Sequence, residues 1–259
     1  VQPATLEQVL AIEPDNQVAL SFKAVSAIND FQVAVAARLI QRAVSRPSTH
    51  PVVWLNAAVV AVSIGRLDAA IEISEYVVVR DPLFVWAHLN FADYLTHAGR
   101  MEEAIRRYEL AIGLNETAGV VQWKYGLALL MAGRPEEALA AFEREPGPLY
   151  ALHGRALALH DLGRLDESAA ALERLTEDDA ADWPFGLARA HAWLGNADQA
   201  FHYLERTLAE APGYLGGIAT HPLFAPVHDD PRWLPFVEKA GQSAEQLAAI
   251  EFDLELPGT

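Results

Sequence analysis

The sequence predicts an all-α protein built from tandem helix pairs, an α-α solenoid. The first observation is a six-residue phrase, beginning Gly-Arg or Gly-Asn, that recurs five times in the 259 residues. Its glycines lie 34, 34, 30 and 32 residues apart, and a period of about 34 residues is typical of helix-turn-helix repeats. The second observation is that small residues recur at a fixed offset from each glycine. The five glycines are Gly65, Gly99, Gly133, Gly163 and Gly195.

Each phrase is predicted to be the turn between the two helices of one repeat. Glycine takes the left-handed conformation that ends a helix, and the acidic residues that follow suit the start of the next helix, where the helix dipole favours negative charge. The residue five positions after the glycine is small, which indicates close contact between two helices. These small residues are Ala70, Ala104, Ala138, Ser168 and Ala200.

We expect residues 1–214 to hold about six helix pairs that follow an N-terminal half-repeat. The half-repeat is Leu6–Ile12, which matches a second helix whose first helix is missing. The first full pair, residues 17–47, is the weakest match because its turn at 29–31 has no glycine. The remaining pairs are predicted at residues 51–84, 85–118, 119–147, 149–180 and 181–214.

Residues 215–259 are expected to form C-terminal capping helices of the same domain, because the exposed end of a repeat array must be covered. Asp230 followed by Pro231 is typical of a helix start. The capping-box pattern at 243–246 predicts a last helix to about Phe252. Four apolar side chains are expected to cover the last repeat: Leu223, Phe224, Trp233 and Phe236.

The offsets from each glycine resemble the tetratricopeptide repeat (TPR). In residues 51–84 they place a large residue, Trp54, on the first helix, small residues on both helices and Pro82 at the exit. The resemblance covers residues 5–214 and implies a right-handed superhelix. It also implies a protein-protein or peptide-binding module with its ligand in a concave groove.

A second resemblance concerns the C-terminal segment. His-Pro-Leu-Phe at 221–224, followed by Asp-Pro-Arg-Trp at 230–233, is similar to the segment that closes TPR regions in bacterial multidomain regulators. Those regulators carry an adenylate-cyclase or winged-helix DNA-binding domain upstream. The resemblance implies that this chain is part or partner of a signalling or transcriptional regulator. The start at Val1 and the half-repeat predict processing, or a piece cut from a longer polypeptide.

Composition and charge exclude several classes of partner. The formal net charge of −16 repels nucleic acid, whose binding depends on cations that neutralise phosphates. The longest apolar run, Val52–Ile64, is interrupted by Asn56 and Ser63 and is shorter than the ~18 residues that a membrane helix needs. We therefore expect no nucleic-acid partner and no membrane segment. The chain has no cysteine, so it forms no disulfide and has no thiolate metal site or cysteine nucleophile. We expect the protein to be cytoplasmic, although the absence of cysteine is equally compatible with the periplasm.

The sequence contains no recognisable catalytic motif. Its nine histidines are dispersed, and no His-Glu or His-Asp set has metal-ligand spacing. We expect a protein that is not an enzyme and has no metal and no cofactor. An enzyme with a His/Asp site in the groove is kept as an alternative, because Asp93 and His97 share one helix face.

The TPR resemblance implies that the groove is lined by fixed positions on the first helices. Leu89, Trp123 and Leu127 stand where the family's carboxylate clamp has Lys or Asn, so a clamp for chaperone C-termini is not expected. What remains is an apolar and aromatic strip suited to an amphipathic helix or an extended peptide. The strip is predicted to consist of Trp86, Leu89, Asp93, His97, Trp123, Leu127, Tyr150, His153, His160, Phe185 and Arg189.

Two alternatives remain open for this strip. In the first, the strip is filled by the C-terminal helix of the same chain. In the second, it is filled by a second copy of the protein, which would then be a self-associating scaffold such as a homodimer. Trp86 and Trp123 either line the groove or pack between repeats.

Overall fold

The computed structural model describes residues 3–177 and 183–257. Within these residues the chain is all α, without a strand, and fifteen α-helices follow one another in tandem as the fold class predicted. The helices are α1 (Pro3–Ile12), α2 (Gln17–Asn29), α3 (Val33–Val44), α4 (Pro51–Ser63), α5 (Leu67–Arg80), α6 (Val85–His97), α7 (Met101–Leu114), α8 (Val121–Met131), α9 (Pro135–Arg144), α10 (Pro148–Asp161), α11 (Leu165–Glu177), α12 (Pro184–Trp193), α13 (Ala197–Glu210), α14 (Trp233–Lys239) and α15 (Ala244–Ala248).

The contacts divide the chain into two compact units. The first unit comprises the described residues up to Asn90, Ala211–Thr220, and those from Phe236 onward. The second unit comprises Phe91–Glu210, without residues 178–182, and His221–Pro235. The C-terminal segment thus contributes to both units. The division at 214 between array and capping segment stays a prediction.

The core of each unit forms where one helix pair packs on the next. In the first unit, Leu20 of α2, Ala43 of α3 and Val53 of α4 make one buried cluster. In the second, Leu175 of α11 packs on Leu187 of α12. Each pair therefore covers its apolar side with its neighbour, as a tandem repeat requires.

The five repeat glycines form the predicted turns. Each has a φ of 72–74°, in the left-handed region. In each turn the amide N–H that follows the glycine donates to the carbonyl five residues earlier, at 2.8–2.9 Å. This is the Schellman arrangement, which satisfies a carbonyl at the end of the first helix.

The turn that lacks glycine has the same backbone shape. Phe31 stands 34 residues before Gly65 and has a φ of 58°. Its successor Gln32 donates to the carbonyl of Ala27 at 2.7 Å. The left-handed region costs a residue with a Cβ about 1–2 kcal/mol. Neighbouring helices therefore impose this turn on a residue that does not favour it.

The acidic residues of the phrase also bind the arginine that precedes them. In three repeats the arginine after the glycine makes a bidentate ion pair with a glutamate three residues on, at 2.6–2.8 Å. These hydrogen bonds lower the pKa of each glutamate. Exposed ion pairs contribute little to the free energy of unfolding. The main effect of these pairs is therefore to fix the first turn of the second helix. The pairs are Arg100–Glu103, Arg134–Glu137 and Arg164–Glu167.

The small residues lie where two helices approach closely, as predicted. The four alanines at this position are fully buried. Ser168 is also buried, and its hydroxyl donates to the carbonyl of Ala156 at 2.7 Å. The serine thus satisfies its polar group across the helix pair and keeps the contact short.

Phe142 of α9 lies between glycines of two first helices. A Cβ built on Gly126 of α8 would be 2.4 Å from the phenyl ring, and one on Gly154 of α10 would be 2.1 Å from it. Glycine inside a helix costs about 0.5–1 kcal/mol relative to alanine. That cost is offset here because the ring fills the space that two side chains would occupy.

The C-terminal segment differs in detail from the prediction. Asp230 accepts the N–H of Arg232 at 2.9 Å, and α14 begins only at Trp233. The capping box of α15 is present, with Ser243 and Gln246 bonded to each other's backbone. The helix ends at Ala248 instead of near Phe252, because Ile250 donates to Leu247 at 3.1 Å in a tighter turn. Short 3-10 turns occupy Pro212–Leu215, Ile218–Thr220 and Pro222–Val227.

The four apolar side chains expected to cover the last repeat are all buried. In the second unit, Phe224 lies 5.8 Å from both Phe185 of α12 and Trp233, between ring centroids. In the first unit, the segment packs on earlier helices as well, since a Cβ on Gly65 would meet Leu247 at 3.1 Å. The segment therefore contacts α12 in the second unit and earlier helices in the first, and its role as a cap stays a prediction.

We expect Gly154→Ala to destabilise the protein by about 1–3 kcal/mol, because the added methyl overlaps Phe142. The matched control is Gly113→Ala in α7, where a Cβ meets nothing within 4 Å. That change should stabilise by about 0.5–1 kcal/mol, through helix propensity alone. Urea unfolding followed by circular dichroism measures both. Equal effects of the two substitutions would contradict the packing argument.

Ala104→Trp is expected to destabilise the protein by about 1–3 kcal/mol or more, because the larger side chain overpacks a close helix contact. Ala138→Trp should behave in the same way. The control is Leu110→Trp in the same helix as Ala104, at a position that is 52% exposed. Thermal melts should show a lower melting temperature for Ala104→Trp and Ala138→Trp and little change for the control.

Candidate functional site

Aromatic side chains from three repeats of the second unit meet in one cluster. The ring of Trp123 in α8 lies 5.2 Å from that of Tyr150 in α10 and 6.1 Å from that of Trp183. The rings of Tyr150 and Trp183 are 5.1 Å apart. All three pairs are tilted or edge-to-face, the geometry that aromatic quadrupoles favour. We call these three side chains the aromatic cluster.

Trp183 was not among the predicted site residues. It immediately precedes α12, and its indole covers Gly186, where a Cβ would lie 2.2 Å from the ring. The signal in the sequence is weak: a glycine inside a helix, three positions after a tryptophan.

Arg189 of α12 joins the aromatic cluster. Its guanidinium carbon lies 4.9 Å from the ring centroid of Trp123, 5.1 Å from that of Trp183 and 4.8 Å from that of Phe185. The side chain is only 7% exposed. A desolvated cation–π contact contributes about 2 kcal/mol, so Arg189 holds α12 against the cluster.

His153 of α10 accepts a hydrogen bond within the cluster. The indole Nε1 of Trp123 donates to His153 Nδ1 at 3.2 Å. Burial lowers the pKa of His153 well below its usual range, and the charge of Arg189 lowers it further. The imidazole is therefore neutral at neutral pH, and it serves here as an acceptor that orients the indole.

Glu145 fixes the beginning of α8 and with it the backbone of Trp123. Its Oε2 accepts the N–H of Trp123 at 3.1 Å, and its Oε1 accepts the N–H of Gly147 at 3.0 Å. The carboxylate is buried beside the helix N-terminus, where negative charge is favoured. This cap comes from the following loop, so local sequence patterns do not reveal it.

Asp93 and His97 share one face of α6, as the spacing predicted, but they have different partners. Asp93 accepts the hydroxyl of Tyr108 at 2.5 Å and also binds the ammonium of Lys124. Burial, followed by the charge of Asp93, raises the pKa of Tyr108 well above its usual range. The ring of His97 lies 4.9 Å from that of His221. Asp93 therefore already has two partners within the second unit.

The C-terminal segment occupies predicted groove positions in the second unit. The ring of His221 lies 5.9 Å from that of Phe185, and Phe224 lies 5.8 Å from the same ring. His97 completes the contact from α6. One open alternative was that the last helix fills the strip. In the structure it is the stretch around Pro222–Val227, a 3-10 turn, that lies there.

The predicted strip consequently differs from an open groove. The sequence predicted an accessible apolar surface. In the structure most of the strip residues in the second unit are buried, because neighbouring first helices and the C-terminal segment cover them. Those that are less than a tenth exposed are Trp123, Leu127, His153, Phe185 and Arg189. Those that are partly exposed are Asp93, His97, Tyr150 and His160.

The remaining two residues lie in the part of α6 that belongs to the first unit. Leu89 is buried, whereas Trp86 is 51% exposed. Of the two tryptophans left open by the sequence, Trp123 packs between repeats and Trp86 remains accessible. A binding role for any residue of the strip stays a prediction.

Among the described residues, no three His, Asp or Glu side chains are arranged to hold a metal ion. No helix within residues 3–177 and 183–257 is long and apolar enough to cross a membrane.

Several solved structures share this fold. TTC0263, a thermophilic TPR protein of Thermus thermophilus, is 17% identical, with 74% of this chain and 99% of that chain covered and a TM-score of 0.58. PilF of Pseudomonas aeruginosa is 17% identical, with 81% and 98% covered and a TM-score of 0.55. MamA is 21% identical, with 60% and 94% covered and a TM-score of 0.51. These identities show a common fold alone. No curated protein matches the chain.

The family comparison agrees with the helix pairs and their turns. The tetratricopeptide repeat matches residues 55–119, 89–151 and 153–214, which together make up more than half of the chain. These stretches contain all five glycine turns and the small residues of the close contacts. The chain belongs to the tetratricopeptide repeat family.

Proposed function

We propose that this TPR chain is a non-enzymatic module that binds a protein or peptide through the first-helix positions of its second unit. The TPR fold is typical of protein interaction. The observation that carries the proposal is that these positions already hold a short stretch of polypeptide, around His221 and Phe224, through ring contacts. A surface that holds one such stretch has the chemistry to hold another.

The aromatic cluster supports this proposal. Aromatic and arginine side chains are enriched among residues that dominate binding energy, and they act best in desolvated surroundings. Trp123 and Arg189 are buried, whereas Tyr150 is partly exposed. Tyr150, together with the partly exposed Trp183, is therefore where a ligand would reach the cluster.

The neutral histidines favour recognition over acid-base chemistry. Burial lowers the pKa of both His153 and His97, and each is engaged with another ring. The enzyme alternative would need such a group to face a substrate. The metal content of the purified protein is a direct check on the metal version of that alternative.

The proposal extends to the setting of the chain, as part or partner of a bacterial signalling or transcriptional regulator. Its support is the segment at 221–233, which resembles the end of the TPR regions in such regulators. Leu223, Phe224 and Trp233, the apolar side chains of that segment, are buried in the second unit.

A self-associating scaffold is the second candidate. Its support lies in the first unit, where Leu83 and Trp86 are 73% and 51% exposed. Exposed large apolar side chains on neighbouring positions are typical of contact surfaces. Light scattering over a concentration series separates this candidate from a monomer that binds other proteins.

We expect Tyr150→Ala to weaken partner binding by about 2 kcal/mol, the usual magnitude for an important interface residue. The matched control is Leu110→Ala on α7, a second-helix position that is 52% exposed. Quantitative pull-down with mass spectrometry identifies partners lost by the first variant and retained by the second. Titration of the purified partner then measures the dissociation constant.

Trp86→Ala tests whether binding extends to the first unit and should reduce capture without loss of helicity. Trp123→Ala is unsuitable as a binding probe, because truncation of a buried tryptophan costs about 3–5 kcal/mol of stability. Equal capture of every protein by the wild type, Tyr150→Ala and Trp86→Ala would contradict the proposed function.

A further inference from the structure

The segment around Pro222–Val227 is a separate element of the second unit. The chain on either side of it, Ala211–Thr220 and the residues from Phe236 onward, is part of the first unit, whereas His221–Pro235 is part of the second. His221, Leu223 and Phe224 direct their side chains inward, where Leu223 and Phe224 are fully buried. A short stretch with inserted side chains is how a bound peptide contacts a groove.

Two side chains of this stretch make ring contacts with the repeats. His221 contacts His97 of α6 and Phe185 of α12, and Phe224 contacts Phe185. Its described hydrogen bonds are local: Leu223 N–H donates to His221 Nδ1 at 3.3 Å, and Phe224 N–H donates to His221 O at 3.0 Å. The stretch therefore keeps its own backbone bonds whether or not it touches the helices.

We infer that the stretch from His221 to Phe224 is an internal ligand, which occupies the peptide-binding positions of the second unit and is displaced when a partner binds. This inference rests on the proposed function and adds its regulation. It also names the ligand class, a short proline-containing peptide in which an apolar residue precedes an aromatic one. Proline limits the freedom of such a peptide before binding, which reduces the entropy lost on association.

The two histidines make the contact sensitive to acid. Burial lowers the pKa of both His97 and His221, and the charge of Arg189 acts in the same direction. Lys124 also lowers the pKa of His97, while Asp93 raises it. Lys124 faces the same carboxylate, so Asp93 compensates only in part.

The lowered pKa values of the two histidines determine how release of the stretch depends on pH. The bound stretch requires neutral imidazoles, and the released stretch takes up protons at a usual pKa of about 6.5. Above this pH the release equilibrium does not depend on these two groups, and release is increasingly favoured as the pH falls below it. When they are protonated, His97 and, to a smaller extent, His153 lower the pKa of His221 further and add to the same trend.

The chain contains no cysteine, so one introduced thiol reports opening of the stretch. Leu223→Cys places it in the stretch, and Leu159→Cys places it in α10 of the same unit; both leucines are at most 1% exposed. Maleimide labelling rates are normalised to the urea-unfolded variant at each pH, which removes the intrinsic pH dependence of the thiol.

We expect the first thiol to react at least about tenfold faster than the second at about pH 7.5, since the stretch opens locally whereas α10 opens only with its unit. The difference should grow at about pH 5.5, and a His221→Phe background, which leaves His97 as the only one of the two histidines, should reduce that growth. Equal protection of the two thiols would overturn the inference, because the stretch would then be an integral part of the core.

A labelled peptide of residues 219–228 tests displacement in trans by fluorescence anisotropy. It should bind the Phe224→Ala protein at least about tenfold more tightly than the wild type, whose own stretch competes. The same peptide carrying Phe224→Ala should not bind. If the Phe224→Ala protein does not fold, the Phe224→Leu protein takes its place, because it keeps an apolar side chain at this position.

Absence of peptide binding to both proteins would overturn the inference. The proposed function fails separately, when no captured partner depends on Tyr150. If the partner binds the Phe224→Ala protein no better than the wild type, the competition between stretch and partner is refuted while partner binding itself stands.

Discussion

The structure depends on the inability of a single helix pair to bury its own apolar face. Each pair must approach the next closely, and the residues at the contact must be small enough to permit this. Ala104, Ala138 and Ser168 occupy these contacts with almost no exposed surface. The same requirement explains Gly126 and Gly154, which leave room for one phenyl ring between two backbones. Much of the stability of such an array comes from the packing of each repeat on its neighbours.

The sequence was informative wherever a feature repeats or depends on adjacent residues. The glycine turns, the small contact residues and the Ser243–Gln246 capping box were predicted from short patterns and were found. The turn at 29–31 was predicted although it lacks the glycine, but the left-handed conformation of Phe31 was not. Repetition was sufficient because each copy of the phrase meets the same steric requirement.

The sequence was less informative about the candidate site, which depends on contacts between distant residues. His221 reaches His97 across more than a hundred positions, and no local pattern predicts that pairing. Glu145 caps α8 from the loop after α9, and Trp183 covers Gly186 from outside the helix. Position within a repeat identifies which side chains point inward. It does not tell whether another part of the chain already occupies that space.

The left-handed conformation of Phe31 has a consequence for the order of folding. A Cβ built on Gly241 would lie 3.7 Å from the Phe31 ring, so this strained turn faces a residue from near the end of the chain. Contacts between residues far apart in sequence form late, because the loop they close is long. During synthesis the N-terminal helices emerge first, without the segment that contacts their turn. The first helix pair should therefore reach its final packing only after the segment around Gly241 has been synthesised.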